Sequence, residues 1–241
     1  GFGSGQSALR ALKSKRVSKP ALFESNLVRK SMSNLPTLAT GPVQLPGTIN
    51  RDTIVFIDAE VSPETGKIVD LGACRPDGCF FHSSNVAAFK EFCKGAEYVC
   101  GHNIVAFDMQ YLRPVLGDGP QPVDTLPLSA LLFPRKRFHK LLKDEKLLTD
   151  ELNNPLSDAR KAMALFEEEV AAFNELPGVL QRLFCAMLKN RPEFAGFFRC
   201  LNVQTPTFAD PAGVIKRLMA DRLCIHADLD GLAKRLSLIH I

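Results

Sequence analysis

The sequence has no apolar run approaching the ~20 residues that a membrane-spanning helix needs, and its first residues do not read as a secretory leader. Its seven cysteines are odd in number and scattered, with no Cys-x-x-Cys pair. That argues against a disulfide framework and points to free, reduced thiols in a cytoplasmic protein. Cys74, Cys79 and His82 lie near one another along the chain, but a fourth ligand is missing, so they read as ordinary core or surface residues. Acidic residues are scarce in one place only. Residues 1–50 hold Glu24 against Arg10, Lys13, Lys15, Arg16, Lys19, Arg29 and Lys30, a balance of +6, whereas the whole chain has a net charge of +4. The other 191 residues therefore come to −2, and the basic character sits in a tail. This tail is rich in Ser, Gly and Pro and poor in periodicity, which fits a disordered basic linker able to touch phosphates non-specifically. Gly1, Gly3 and Gly5 follow no strand and so make no phosphate loop. The lack of an initial Met reads as a fragment.

What is present begins at Thr53. Thr53 to Ile57 is a β-branched and aromatic run without polar relief, the pattern of a strand covered on both faces. Asp58 and Glu60 follow, two apart, so on a strand they point the same way. Such a pair repels by roughly 4 kcal/mol at ~4 Å with an effective dielectric of about 20. It persists only beside cations or with its pKa values pushed apart. Lys67 to Ala73 and Cys79 to His82 read as two further strands of an antiparallel meander, and Val86 to Cys93 as an amphipathic helix. A short strand, Glu97 to Cys100, precedes Gly101-His102-Asn103 and a helix from about Ile104 to Leu112, with Asp108 on its first turns. Val123 to Leu126 reads as another strand, followed by helical stretches to about Lys146.

Asn154 is a good helix cap and Pro155 suits a first helical position. The helix they open buries Leu156, Ala159, Met163, Phe166, Val170 and Phe173 and has Asp158 on its opening turns. Beyond Pro177, helices are expected over 179–189, 192–201, 211–218 and 228–235. The final Leu236 to Ile241 resembles a translated frame of a transposase sequencing adapter. The expected organisation is a basic linker over 1–50, an α/β domain over 51–175, a helical appendage or connector over 176–235, and adapter-derived residues over 236–241.

Helix starts that follow strands gather at the strand ends of an α/β sheet. Asp58, Glu60, Asp108 and Asp158 converging there would need divalent cations, and hard oxygen donors suit Mg²⁺ or Mn²⁺. Two ions about 4 Å apart could clamp the attacking and leaving oxygens of a phosphodiester. Each acid also has a plain reading as a cap or a surface charge.

Four segments in order resemble the DnaQ-like 3′→5′ exonucleases of the DEDD superfamily. They are Ile-Val-Phe-Ile-Asp-Ala-Glu with Lys-Ile-Val-Asp-Leu-Gly-Ala after it, then Val99 to Leu112, Val-Asp-Thr-Leu at Val123 to Leu126, and Leu-Ser-Asp-Ala at Leu156 to Ala159. The resemblance covers roughly Thr53 to Phe173. It implies an RNase H-like α/β fold, a mixed sheet flanked by helices, and hydrolysis of the last phosphodiester at a single-stranded 3′ end to release nucleoside 5′-monophosphates. By matching position, Asp58, Glu60, Asp108 and Asp158 would hold two Mg²⁺ or Mn²⁺ ions. Ala59, Val61, Asn103, Phe107 and Asn153 would lie beside the terminal nucleotide. Two departures stand out. Val61 occupies a position usually held by Thr. Asn153 and Asn154 fall where the two branches of the superfamily place a His or a Tyr general base, and an amide cannot take the water's proton. Losing such a base costs ~10²–10⁴-fold in rate. His139 is the alternative base, although Phe138 to Leu147 reads as a helix, and His102 reads as a brace for Asn103. The chain after Phe173 resembles the connector of exonuclease–helicase fusions, which implies a helicase region as a further partner. The rival reading is a non-catalytic module that holds a single-stranded end, and endonuclease action is a third.

Overall fold

In this computed structural model the described residues are 50–141, 154–203, 211–219, 228 and 231. Ile54–Val61 forms β1, and Ile54 to Ile57 are each at most 1% exposed, as an uninterrupted apolar run requires. The strand is central because both its edges are paired. It runs antiparallel to β2 (Ile68–Cys74), which is antiparallel to β3 (Phe80–His82). On its other side it runs parallel to β4 (Tyr98–Gly101), which is parallel to β5 (Gln121–Asp124). The five strands lie in the order β3-β2-β1-β4-β5. With helices flanking this mixed sheet, the fold is α/β and has the arrangement expected of an RNase H-like exonuclease fold.

Alternation along β1 divides the core. Val55, Ile57 and Ala59 pack with Phe89, Ile104, Met109 and Leu112. These come from α1 (Val86–Phe92), α2 (Asp108–Leu116) and the turn before it. Ile54 and Phe56 point to the opposite face, where they meet Cys100, Leu156, Ala159 and Phe166. That face is covered by α3 (Thr125–Leu132) and the long α4 (Pro155–Glu175). Asp58 and Glu60, in step with Phe56, face α4 as well. The Phe56 and Phe166 rings lie 5.7 Å apart. After α5 (Gly178–Leu188), α6 (Pro192–Cys200) returns to this face, and Phe173, Phe197 and Phe198 stack edge to face. Gly196 is required there, because a Cβ would overlap the Pro122 carbonyl of β5. The last described helix is α7 (Pro211–Met219).

Four expectations need adjusting. The helix expected from Ile104 starts at Asp108, because residues 104–107 form a turn whose Val105 N–H is held by the Asp124 carboxylate. Thr125 and Leu126 belong to α3 rather than to a strand, because the Asp124 carboxylate caps Leu126 N and starts the helix two residues early. Residues 133–141 are not helical, so Phe138 and His139 lie on an irregular segment despite the Lys-Leu-Leu-Lys pattern. The last concerns coverage: Asn153, the basic tail and most of 228–235 lie outside the described residues. Among the described residues no helix is long and apolar enough to cross a membrane.

Candidate active site

The parallel strands β1, β4 and β5 end on the same edge, and the chemistry-bearing side chains collect at those ends. Register sets the first row. Asp58 pairs with Gly72, and Phe56 pairs with Cys100, so two more residues along the parallel pair bring Asp58 level with His102. Gly101 pairs with Asp124, which likewise sets His102 beside Thr125. Along this edge Gly72 and Asp58 pair on their strands, His102 follows the end of β4, and Thr125 opens α3 beside it.

Gly72 seats the helix. A Cβ there would overlap Leu156 N and the Pro155 carbonyl carbon, so the first turn of α4 rests directly on β2 beside Asp58. Asn154 caps this turn by accepting from Ser157 N at 3.1 Å. The helical repeat then fixes where Asp158 lies. Ala159 faces the sheet, so residues 158 and 160 project from opposite flanks, about 100° to either side. The Arg160 guanidinium lies over the Phe80 ring of β3, 5.2 Å from its centre. Asp158 is therefore on the β1 and β4 flank, where its charge acts on the His102 ring. Lys161 Nζ donates to Asp158 Oδ1 at 3.2 Å.

Asp108 arrives from the other face. It is 3% exposed, and its Oδ1 accepts from Ala59 N at 3.1 Å. This bond ties the start of α2 to the residue between Asp58 and Glu60. Burial pushes the Asp108 carboxyl up to about 7, with Asp124 and Glu60 adding to the rise and backbone N–H groups opposing it. A backbone register shift between Glu60 and Val61 ends the strand beside this cluster, the kind of irregularity that re-aims side chains.

Asn103 has φ +66°, a left-handed conformation that Asn tolerates better than most residues. Asp124 holds it there. Its Oδ1 accepts from Asn103 N at 2.8 Å and Leu126 N at 3.0 Å, and its Oδ2 from Val105 N at 3.1 Å. Phe107 precedes Asp108, is 43% exposed, and meets Tyr111 edge to face. Ala59 is buried with its N–H committed to Asp108, and Val61 is half-buried at the strand end.

On sequence His102 reads as a brace for Asn103, but Asn103 N donates to Asp124, and His102 is itself held by Thr125. Thr125 Oγ1 donates to the Gly101 carbonyl at 3.3 Å, so the His102 Nδ1–H donates to Thr125 Oγ1 at 2.9 Å. The His102 Nε2 is buried, and the His139 backbone lies close enough to the ring to favour its charged form. Burial holds the His102 pKa below its ordinary value, against the opposing pull of Asp158. One turn further along α3, Ser129 Oγ meets His139 Nδ1 at 3.0 Å, and His139 in turn acts on the His102 ring. Two hydroxyls at i and i+4 thus orient two imidazoles.

The acids are hard oxygen donors of the kind Mg²⁺ and Mn²⁺ prefer, and a buried carboxyl with a raised pKa gains from a nearby cation. Among the described residues, no three His, Cys, Asp or Glu side chains stand close enough to hold an ion as they are placed. The acids fit such an ion in kind but not, as they are placed, in spacing.

Sequence reading missed Asp70, Asp124 and the two hydroxyls of α3. Asp70 pairs with Glu60 across β1 and β2, and its Oδ2 meets His82 Nε2 at 2.8 Å. The short hairpin turn, read for register, would have placed it there. Asp124 stood inside a quoted motif without a role, since nothing local announces bonds to a turn twenty residues earlier.

No family model matches the chain, and no curated protein does. Among solved structures it is similar to the family B DNA polymerase from the hyperthermophilic archaeon Pyrobaculum calidifontis, at 18% identity and a TM-score of 0.37. The match covers 61% of this chain and 29% of the polymerase chain.

Proposed function

We propose that this domain is a divalent-metal-dependent 3′→5′ exonuclease acting on single-stranded DNA or RNA. What supports it most is the contact of the first turn of α4 with Gly72, the strand partner of Asp58, together with the bond from Ala59 N–H to Asp108. Asp58, Glu60, Asp108 and Asp158 would hold the ions. Bound there, the ions would supply charge neutralisation and activation for phosphodiester hydrolysis. The chain's own residues do the rest. Asp124 fixes the Asn103 turn, Phe107 offers an exposed ring to a terminal base, and His102 lies within reach of the Asp158 charge.

A second reading is favoured by one specific observation. The Asn154 side-chain oxygen is committed to Ser157 N, so this amide is a cap and not a proton acceptor. A module that holds a single-stranded end without turnover is consistent with that. Incubation with labelled single-stranded DNA and RNA in Mg²⁺ or Mn²⁺ separates the two. Mononucleotide release that disappears in Asp58→Ala supports the enzyme, and tight binding without product under either metal supports the module. A circular substrate left uncut excludes endonuclease action.

A further inference from the structure

Apart from His139, the segment Pro134–Lys140 takes no part in the chemistry above. It carries four cations, Arg135, Lys136, Arg137 and Lys140, and no acid. Among them stands Phe138, 80% exposed. A merely solvated loop has no use for a large apolar ring held in water, whereas cations interleaved with an exposed aromatic are what single-stranded nucleic acid requires. Phosphates take the charges, and a base stacks on the ring whatever its identity.

Both ends of the segment are anchored. At one end Lys136 lies over the Phe133 ring at 4.1 Å and reaches Glu168 on α4 at 3.8 Å. At the other, His139 is held by Ser129 and abuts His102 beside Asp158. Glu168 is ten residues along α4 from Asp158, about 15 Å at 1.5 Å per residue. Lys136 thus meets α4 at Glu168 and His139 reaches the candidate active site, with Arg137 and Phe138 between them along the chain.

We propose that Pro134–Lys140 is a docking strip for single-stranded nucleic acid, with Phe138 as its stacking platform and Arg137 and Lys140 as phosphate contacts, directing a 3′ end toward Asp158. The polarity of the bound strand rests on the exonuclease reading, while the binding itself does not.

The test is equilibrium binding of 5′-fluorescein-labelled oligothymidylate and oligouridylate to the full chain in EDTA, where no hydrolysis intervenes. Phe138→Ala should weaken binding by roughly 5- to 150-fold, the range for loss of one stacked base. Arg137→Gln with Lys140→Gln should lower the slope of log affinity against log salt by about 1.4, at about 0.7 per phosphate contact on a single strand. Removal of the same charge on α1 and the turn after it, Lys90→Gln with Lys94→Gln, should leave that slope unchanged. With p-benzoylphenylalanine at position 138, crosslinks should concentrate on nucleotides near the 3′ end. Wild-type affinity in Phe138→Ala, an unchanged salt slope in the 137/140 pair, crosslinks spread evenly along the strand, or displacement by polyglutamate at equal charge would each overturn the proposal. Loss of strip binding with Asp58-dependent mononucleotide release intact would sink the strip alone. Strip binding without any release would sink the exonuclease reading instead.

Discussion

Gly72→Ala places one methyl group where the first turn of α4 meets the sheet. The new Cβ would overlap Leu156 N, Leu156 Cα and the Pro155 carbonyl carbon, all backbone atoms that cannot swing aside as a side-chain end could. Overpacking of a close-packed contact costs roughly 1–3 kcal/mol, and here relief requires the helix itself to retreat. A retreat of about 1 Å is enough to cost ~10²-fold when it separates groups that act together. Asp158 rides on that turn, so the loss should fall more heavily on turnover than on stability. Urea denaturation gives the first quantity and single-turnover mononucleotide release in Mn²⁺ gives the second. Gly196→Ala is the comparison, since a Cβ there would overlap Pro122 O on α6's contact with β5, a helix that bears none of the candidate acids. It should be destabilised similarly, while its folded fraction keeps its turnover. Gly72→Ala protein with wild-type stability and wild-type release would refute the seating of α4. Equal loss of turnover in both variants would refute its link to the acids.

Three further outcomes follow from the buried carboxyls. Asp108→Asn should abolish mononucleotide release yet raise stability near and above neutral pH. The folded carboxyl sits near 7 against an ordinary value of 3.8, so the unfolded chain gives up its proton first and wild-type stability falls as pH rises through that window. Denaturation midpoints at pH 5 and pH 8 would measure the difference, and a variant less stable at pH 8 would contradict it. Glu169 on α4 is fully buried with both carboxylate oxygens unpartnered, and burial holds its pKa well above the usual range. Glu169→Gln should therefore match wild type in acid and exceed it increasingly as pH rises, read from the same titration of midpoints. Asp124→Ala removes the acceptor of three backbone N–H groups and should cost about 1–3 kcal/mol per buried donor left unpaired. Hydrogen exchange at Asn103 and Val105 should accelerate in it, and unchanged protection there would count against the clamp.

Much of this arrangement was readable from residue order because it depends on periodicity and punctuation. The apolar run before Asp58 announced a two-face strand, and Asn154-Pro155 announced a helix start with Asp158 one turn in. Elements governed by distant partners were not readable in the same way. The shift of the α2 start from Ile104 to Asp108 comes from Asp124 pinning Asn103 N and Val105 N in a turn, a bond across about twenty residues. Phe138 to Leu141 carry a helical pattern but follow Ser129's hold on His139, which draws the chain against α3. Gly72 looked like any strand glycine until a helix came to rest on it.

The account turns on whether Asp58, Glu60, Asp108 and Asp158 act as one ligand set, and direct titration with Mn²⁺ followed by electron paramagnetic resonance measures that without any substrate. The prediction is two ions bound per chain, with binding lost or weakened in Asp58→Ala and in Asp158→Ala alike. Mn²⁺ that stays free in solution, or binding indifferent to both substitutions, would contradict it.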